Sequence, residues 1–91
     1  MKYEVKFTNR FNRDYKLMKK RGVKAELLDN VVNLLRQGKP LPAQYRDHPL
    51  TGNYIGFREC HIKPDWLLVY QIENDLLVLT LMRTGTHSDL F

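Results

Sequence analysis

The sequence predicts an α+β fold, with one antiparallel sheet packed against two helices in a single domain over residues 1–91. Three observations predict it: apolar residues alternate at the start of the chain, two helical stripes follow, and short apolar runs between tight turns fill the second half. With 43% hydrophobic and 27% charged residues and only five Gly and four Pro, the chain falls outside the disordered and fibrous classes. A chain of this length supports one core, so its function lies on the surface of one unit.

At the start, Tyr3, Val5 and Phe7 alternate with Lys2, Glu4 and Lys6, the period of a half-buried strand over 2–7. Thr8 is placed to cap a helix in which Phe11, Tyr15 and Met18 recur at spacings of four and three, and Gly22 ends it. The other face of that helix is basic: Arg10, Arg13, Lys16, Lys19 and Lys20. A second helix over about 24–37 carries Leu27, Leu28, Val31, Val32, Leu34 and Leu35 in an apolar stripe, stopped by Gly38 and Pro40. The two helices form an αα-hairpin.

Residues 38–52 contain Pro40, Pro42, Pro49 and Gly52 without periodicity and read as one long loop, which holds Asp47-His48-Pro49-Leu50-Thr51-Gly52. Three strands follow at about 54–62, 66–72 and 76–83, joined by Lys63-Pro64-Asp65 and Glu73-Asn74-Asp75 into an antiparallel meander. The runs Trp66-Leu67-Leu68-Val69-Tyr70 and Leu76-Leu77-Val78-Leu79 are almost wholly apolar, which predicts cover on both faces, in part by the helical hairpin.

The single Cys60 has no intrachain disulfide partner, no apolar run nears the roughly 18 residues a bilayer requires, and the start lacks a secretory apolar segment. The expected location is therefore a reducing cytoplasm, away from membranes. Net charge is +5, unevenly placed: residues 1–46 carry 12 basic and 4 acidic side chains, residues 47–91 carry 3 and 6, and all three His lie in the second part. A polyanion is the expected partner of the basic part, and a merely solvated helical face is the competing reading.

The meander brings three chain segments to one end of the sheet, so His61, Asp65, Trp66, Arg83 and His87 are expected within side-chain reach of one another. His48 joins them only if the long loop folds back. Two or three imidazoles with a carboxylate and a guanidinium suit cleavage of RNA without a cofactor. Imidazole takes or gives a proton near neutral pH, and Arg holds the charge that builds on the phosphoryl oxygens. Each residue has a structural reading as well. His48 fixes the loop, Asp65 closes a turn, Trp66 lies in the core, and Cys60 is a buried filler. Arg58 and Glu59 form a ladder ion pair, and Phe91 is a terminal staple. A metal site would use His48, His61, His87, Asp65 and Cys60, but no pair has the close spacing that prebuilds half of one.

Three segments, Asp47 to Gly52, Phe57 to Tyr70 and Arg83 to Phe91, closely resemble the YafQ branch of RelE-type bacterial toxins. The resemblance spans essentially the whole chain, with the motifs in matching order and spacing. It implies a RelE-like fold and a ribosome-dependent mRNA endonuclease held inactive by a cognate antitoxin. Carried over by position, it implies a catalytic group of His48, His61, Asp65 and His87, with Arg83 stabilising the phosphate and Trp66 and Phe91 shaping the site and holding RNA. His87 is then the acid, with His61 or Asp65 as base. Arg10, Arg13, Lys16, Lys19 and Lys20 would contact the RNA backbone. The alternative is a non-enzymatic binding module on the same scaffold, as in the ParE-type branch, or RNA binding through the basic helices alone.

Overall fold

The computed structural model describes residues 2–91. Its elements are β1 (Glu4–Phe7), α1 (Asn9–Lys20), α2 (Ala25–Arg36), β2 (His48–Pro49), β3 (Arg58–Lys63), β4 (Trp66–Glu73), β5 (Val78–Gly85) and α3 (His87–Leu90). The strands form one sheet in the order β1-β5-β4-β3-β2.

Local chemistry accounts for the helices. Thr8 accepts from the Phe11 N–H and caps α1, Phe11 and Met18 are buried, and the basic side chains Arg10, Arg13, Lys16, Lys19 and Lys20 point to solvent. Leu28, Val31 and Leu35 bury the inner face of α2. Both helices lie over one face of the sheet, where Tyr3, Cys60, Ile62, Trp66, Leu68, Tyr70, Leu79 and Leu81 complete the main core. A smaller core on the opposite face joins Leu67, Val69 and Leu90 to Leu50, Phe57 and Met82, so β4 is covered on both sides, the second cover coming from α3 and the loop before β3.

The sheet is antiparallel except at one edge, where β1 pairs with β5 in parallel, Glu4 opposite Val78 and Phe7 opposite Leu81. The Lys2 and Tyr3 N–H groups both donate to the Arg36 carbonyl, so the helical hairpin returns the chain to the end of the sheet where β1 begins. From there β3 runs alongside the direction of β1, and β5, two strands on in a meander, shares it.

Several boundaries differ from expectation. The first strand starts at Glu4, and Phe7 stays 57% exposed, leaning on Phe11 with ring centroids 5.7 Å apart. The long loop contains single turns at Ala43–Tyr45 and Gly52–Tyr54 and the two-residue strand β2, which moves the start of β3 from 54 to Arg58. Leu76 and Leu77 belong to the β4–β5 turn and are exposed, because Leu77 takes a left-handed backbone (φ 54°) that ends the ladder.

Candidate active site

Sheet register gathers groups that sequence spacing separates. His48 is paired with Glu59, Glu59 with Val69, and Val69 with Arg83, so these four residues form one row across the face opposite the helical hairpin. His61, two residues beyond Glu59 on β3, stands on the same face in the next row. Arg83 reaches this face because Met82 bulges out of the β4–β5 ladder: Tyr70 pairs with Leu81 and Val69 with Arg83. Without that extra residue, alternation from Leu81 would point Arg83 to the helical side.

The four residues of the expected acid–base group lie together. The His61 ring centroid is 6.1 Å from that of His48 and 5.7 Å from that of His87, and His87 Nδ1 lies 2.7 Å from Asp65 Oδ1. Asp65 also accepts the His87 backbone N–H at 3.1 Å. His48 arrives through β2, whose pairing with β3 aligns it with Glu59, and needs no folding back of the whole loop. Arg46 (φ 48°) turns the chain just before it, and Asp47 anchors that turn by accepting from Arg58 Nε and from the Tyr70 hydroxyl.

Each imidazole is tied through Nδ1 to an oxygen: His48 to the Arg46 carbonyl at 2.7 Å, His61 to the Pro64 carbonyl at 3.4 Å, and His87 to the Asp65 carboxylate. Carbonyl and carboxylate oxygens only accept, so Nδ1 carries the hydrogen and each ring presents Nε2 for chemistry. Hydrogen bonds from the His87 side chain, then from its backbone N–H, hold the Asp65 carboxyl below its ordinary pKa.

Glu59 is the site residue that the ladder ion-pair reading missed. Its side chain is 7% exposed, and Oε1 lies 3.6 Å from His48 Nε2 and 3.7 Å from His61 Nε2. Its Oε2 is buried without a hydrogen-bond partner. Arg58, the supposed partner of Glu59, pairs instead with Asp47. The period-two relation of Glu59 and His61 on one strand was the signal available.

The other expected site residues are dispersed. Arg83 shares the face but stands two strands from Glu59, about 10 Å at the backbone, and it forms a two-pronged pair with Asp14 of α1 at 3.0 and 3.1 Å. That pairing raises the Arg83 pKa further. Trp66 is corrected from RNA contact to core: it is 2% exposed on the helical side, donating its indole N–H to Thr84 Oγ1 at 2.9 Å. Phe91 is 61% exposed and meets Tyr54 edge-on at 5.7 Å, beside the cleft that Tyr54, Phe57, Arg10 and Arg83 line. Cys60 is fully buried, and burial pushes its thiol pKa far above the ordinary value, which removes it as a nucleophile.

A family model described as the bacterial toxin of type II toxin–antitoxin systems, YafQ, matches residues 3–91. The mRNA interferase toxin YafQ of Escherichia coli strain K12 is 39% identical over 89 residues, covering 97% of this chain and 95% of its own. A metal-bound toxin from Helicobacter pylori superposes with a TM-score of 0.92 at 45% identity, covering 98% of this chain and 99% of the other. YafQ in the E. coli DinJ–YafQ complex superposes with a TM-score of 0.88 at 38% identity, covering 98% of both chains.

Proposed function

The chain belongs to the YafQ family of bacterial type II toxin–antitoxin toxins, and from that premise we propose that it is a ribosome-dependent mRNA endonuclease. The observation that carries this reading is the line of three imidazoles, His48, His61 and His87, with neighbouring centroids 6.1 and 5.7 Å apart and Asp65 bound to the last.

In RNA the nucleophile is part of the substrate. Asp65 is committed to His87, so His61 is the base in this reading: its Nε2 takes the 2′-hydroxyl proton, and Glu59 at 3.7 Å stabilises the imidazolium that forms. The 2′-oxygen attacks the adjacent phosphorus, and the bond to the 5′-oxygen breaks as His87 Nε2 delivers its proton there. The products are a 2′,3′-cyclic phosphate and a free 5′-hydroxyl, which balances protons and electrons without a cofactor. His48 assists at the base end, and Arg83 holds the charge on the phosphoryl oxygens. Phe91 and the basic face of α1 hold message and ribosomal RNA. A cognate antitoxin is the proposed protein partner, as DinJ is for YafQ.

Replacing His87 with Gln removes the acid and is expected to slow cleavage of ribosome-bound message by roughly 10²–10⁴-fold, with mapped ends carrying 2′,3′-cyclic phosphate and naked message cut poorly. An unchanged rate overturns the assignment. A variant that still poisons cells without cutting favours the non-enzymatic binding module.

A second reading has its own support: His48, His61 and Glu59 each offer a ligand atom within 4.8 Å of the others, Glu59 Oε1 lies 3.6 and 3.7 Å from the two Nε2 atoms, and Glu59 Oε2 has no partner. Two nitrogens and a carboxylate suit zinc or copper, and both rings already donate Nδ1–H to backbone carbonyls, as ligand histidines do. A bound ion would occupy the lone pairs that move protons, so titrating zinc is expected to suppress cleavage and a chelator to restore it. Cleavage that persists with zinc bound, as measured by calorimetry, excludes this regulatory reading.

A further inference from the structure

The Asp14–Arg83 pair lies outside the imidazole line, on a helix that carries none of the histidines. β1 ends at Phe7, opposite Leu81, and Thr8 just beyond it donates its hydroxyl to the Met82 carbonyl at 2.8 Å, so β5 has no strand partner on that side from Arg83 onward. Asp14 closes that edge: Oδ2 accepts the Thr84 backbone N–H at 3.2 Å and Arg83 Nε at 3.0 Å, while Oδ1 accepts Arg83 Nη2 at 3.1 Å. Both partners are largely withdrawn from water, with 18% of the Arg83 side chain and 15% of the Asp14 side chain exposed. Thr84 is itself fixed, since its hydroxyl accepts from Trp66 and donates to the Leu67 carbonyl at 2.7 Å. The carboxylate is therefore located by the strand that presents the arginine.

A two-pronged carboxylate fixes both the plane and the direction of a guanidinium, which a point contact does not. Asp14 takes the Nε edge of the fork. Arg83 itself lines the cleft shared with Arg10, Tyr54 and Phe57, next to Phe91, and the Tyr54 side chain also interacts with its guanidinium. Electrostatic stabilisation of a phosphoryl group depends on donors already aimed when charge develops, and an unrestrained arginine would have to be ordered at that moment.

We propose that Asp14 is a positioning residue for cleavage, holding Arg83 in the orientation that meets the scissile phosphate. This inference rests on the nuclease reading and adds to it a residue on α1, the helix whose outer face carries Arg10, Arg13, Lys16, Lys19 and Lys20. Asp14 touches no substrate. Its effect on cleavage is exerted through Arg83, while its bond to the Thr84 N–H holds the carboxylate in place.

The test is single-turnover cleavage on programmed ribosomes over a range of toxin concentrations. Asp14→Asn is expected to lower the plateau rate about 10–100-fold, leave the half-saturating concentration unchanged, and be partly rescued by Asp14→Glu. Combined with Arg83→Ala, it should be no slower than Arg83→Ala by itself. Losses that multiply in the double variant overturn the proposal, as does an Asp14→Asn rate at or above wild type. Should Asp14→Asn fail to fold, NMR of the wild-type chain decides: the Arg83 Nε–H is expected to exchange slowly with solvent, and free exchange overturns the proposal. Wild-type protein that cuts no ribosome-bound message overturns the nuclease reading instead, and the Nε–H measurement then still reports on the clamp.

Discussion

Trp66 donates its indole N–H to Thr84, which passes a bond on to the Leu67 carbonyl, and both side chains are buried. Trp66→Phe keeps most of the ring but leaves the Thr84 hydroxyl short of a donor. It is expected to cost about 1–3 kcal/mol in chemical denaturation, with cleavage per folded molecule close to wild type. A large loss of cleavage at unchanged stability would return the ring to RNA contact. Legibility in the sequence at this scale follows the type of connection. His61, Asp65 and His87 were readable as neighbours because short turns join their segments. The position of Arg83 was half readable: its face depends on the bulge at Met82, which no local pattern announces, and its partner Asp14 lies 69 residues away. Glu59 was hidden because a carboxylate beside an arginine in a strand reads first as an ion pair.

α3, with four residues, is too short to hold itself together, so its helicity comes from contacts with the rest of the chain. Thr86 and Asp89 form a reciprocal cap, Leu90 enters the smaller core, and Arg21 grips Asp89 at 2.7 and 3.2 Å. A side chain at Gly85, the last residue of β5, would crowd the helix, because a Cβ there would sit 3.0 Å from the Asp89 side chain. The Arg21 hydrogen bond, then the Thr86 backbone N–H, hold the Asp89 carboxyl far below its ordinary range. Because the folded-state pKa is depressed, this tether contributes in full above the unfolded value near 4 and is lost as pH falls through the folded value. Between neutral and mildly acidic pH, hydrogen-exchange protection of the Leu90 and Phe91 amides, which bond within the helix, should therefore stay constant on account of this pair. Asp89→Asn should lower that protection across the whole range, and equal protection in variant and wild type would show that the cap and Leu90 suffice. α1 and α2 were legible from their apolar stripes, whereas α3 spans too few residues to have a period. The parallel β1–β5 edge was not legible either, since the direction of a non-local pairing depends on where the helical hairpin returns the chain.

Over the whole molecule, charge and chemistry meet at α1. Its inner side buries Phe11 and Met18, its outer side carries the basic row, and Asp14 and the capping Arg21 tie it to Arg83 and α3. No helix among the described residues is long and apolar enough to cross a membrane. Contacts between such side chains and RNA phosphates release counterions, which makes affinity fall steeply with salt and independently of sequence. Arg13 and Lys16 are exposed and have no ion-pair partner among the described residues, so replacing both with Gln should leave the fold and the imidazole line intact. Ribosome affinity of the double variant, measured from 50 to 300 mM salt, should fall at every point. The log–log slope should be shallower by about 1.5 to 2, the loss of roughly two phosphate contacts. Cleavage of message once bound should keep its wild-type rate if these residues act on affinity, since neither stands among the imidazoles. A slope identical to wild type would mean that α1 presents its charge to water alone, and that the ribosome is met by another face of the chain.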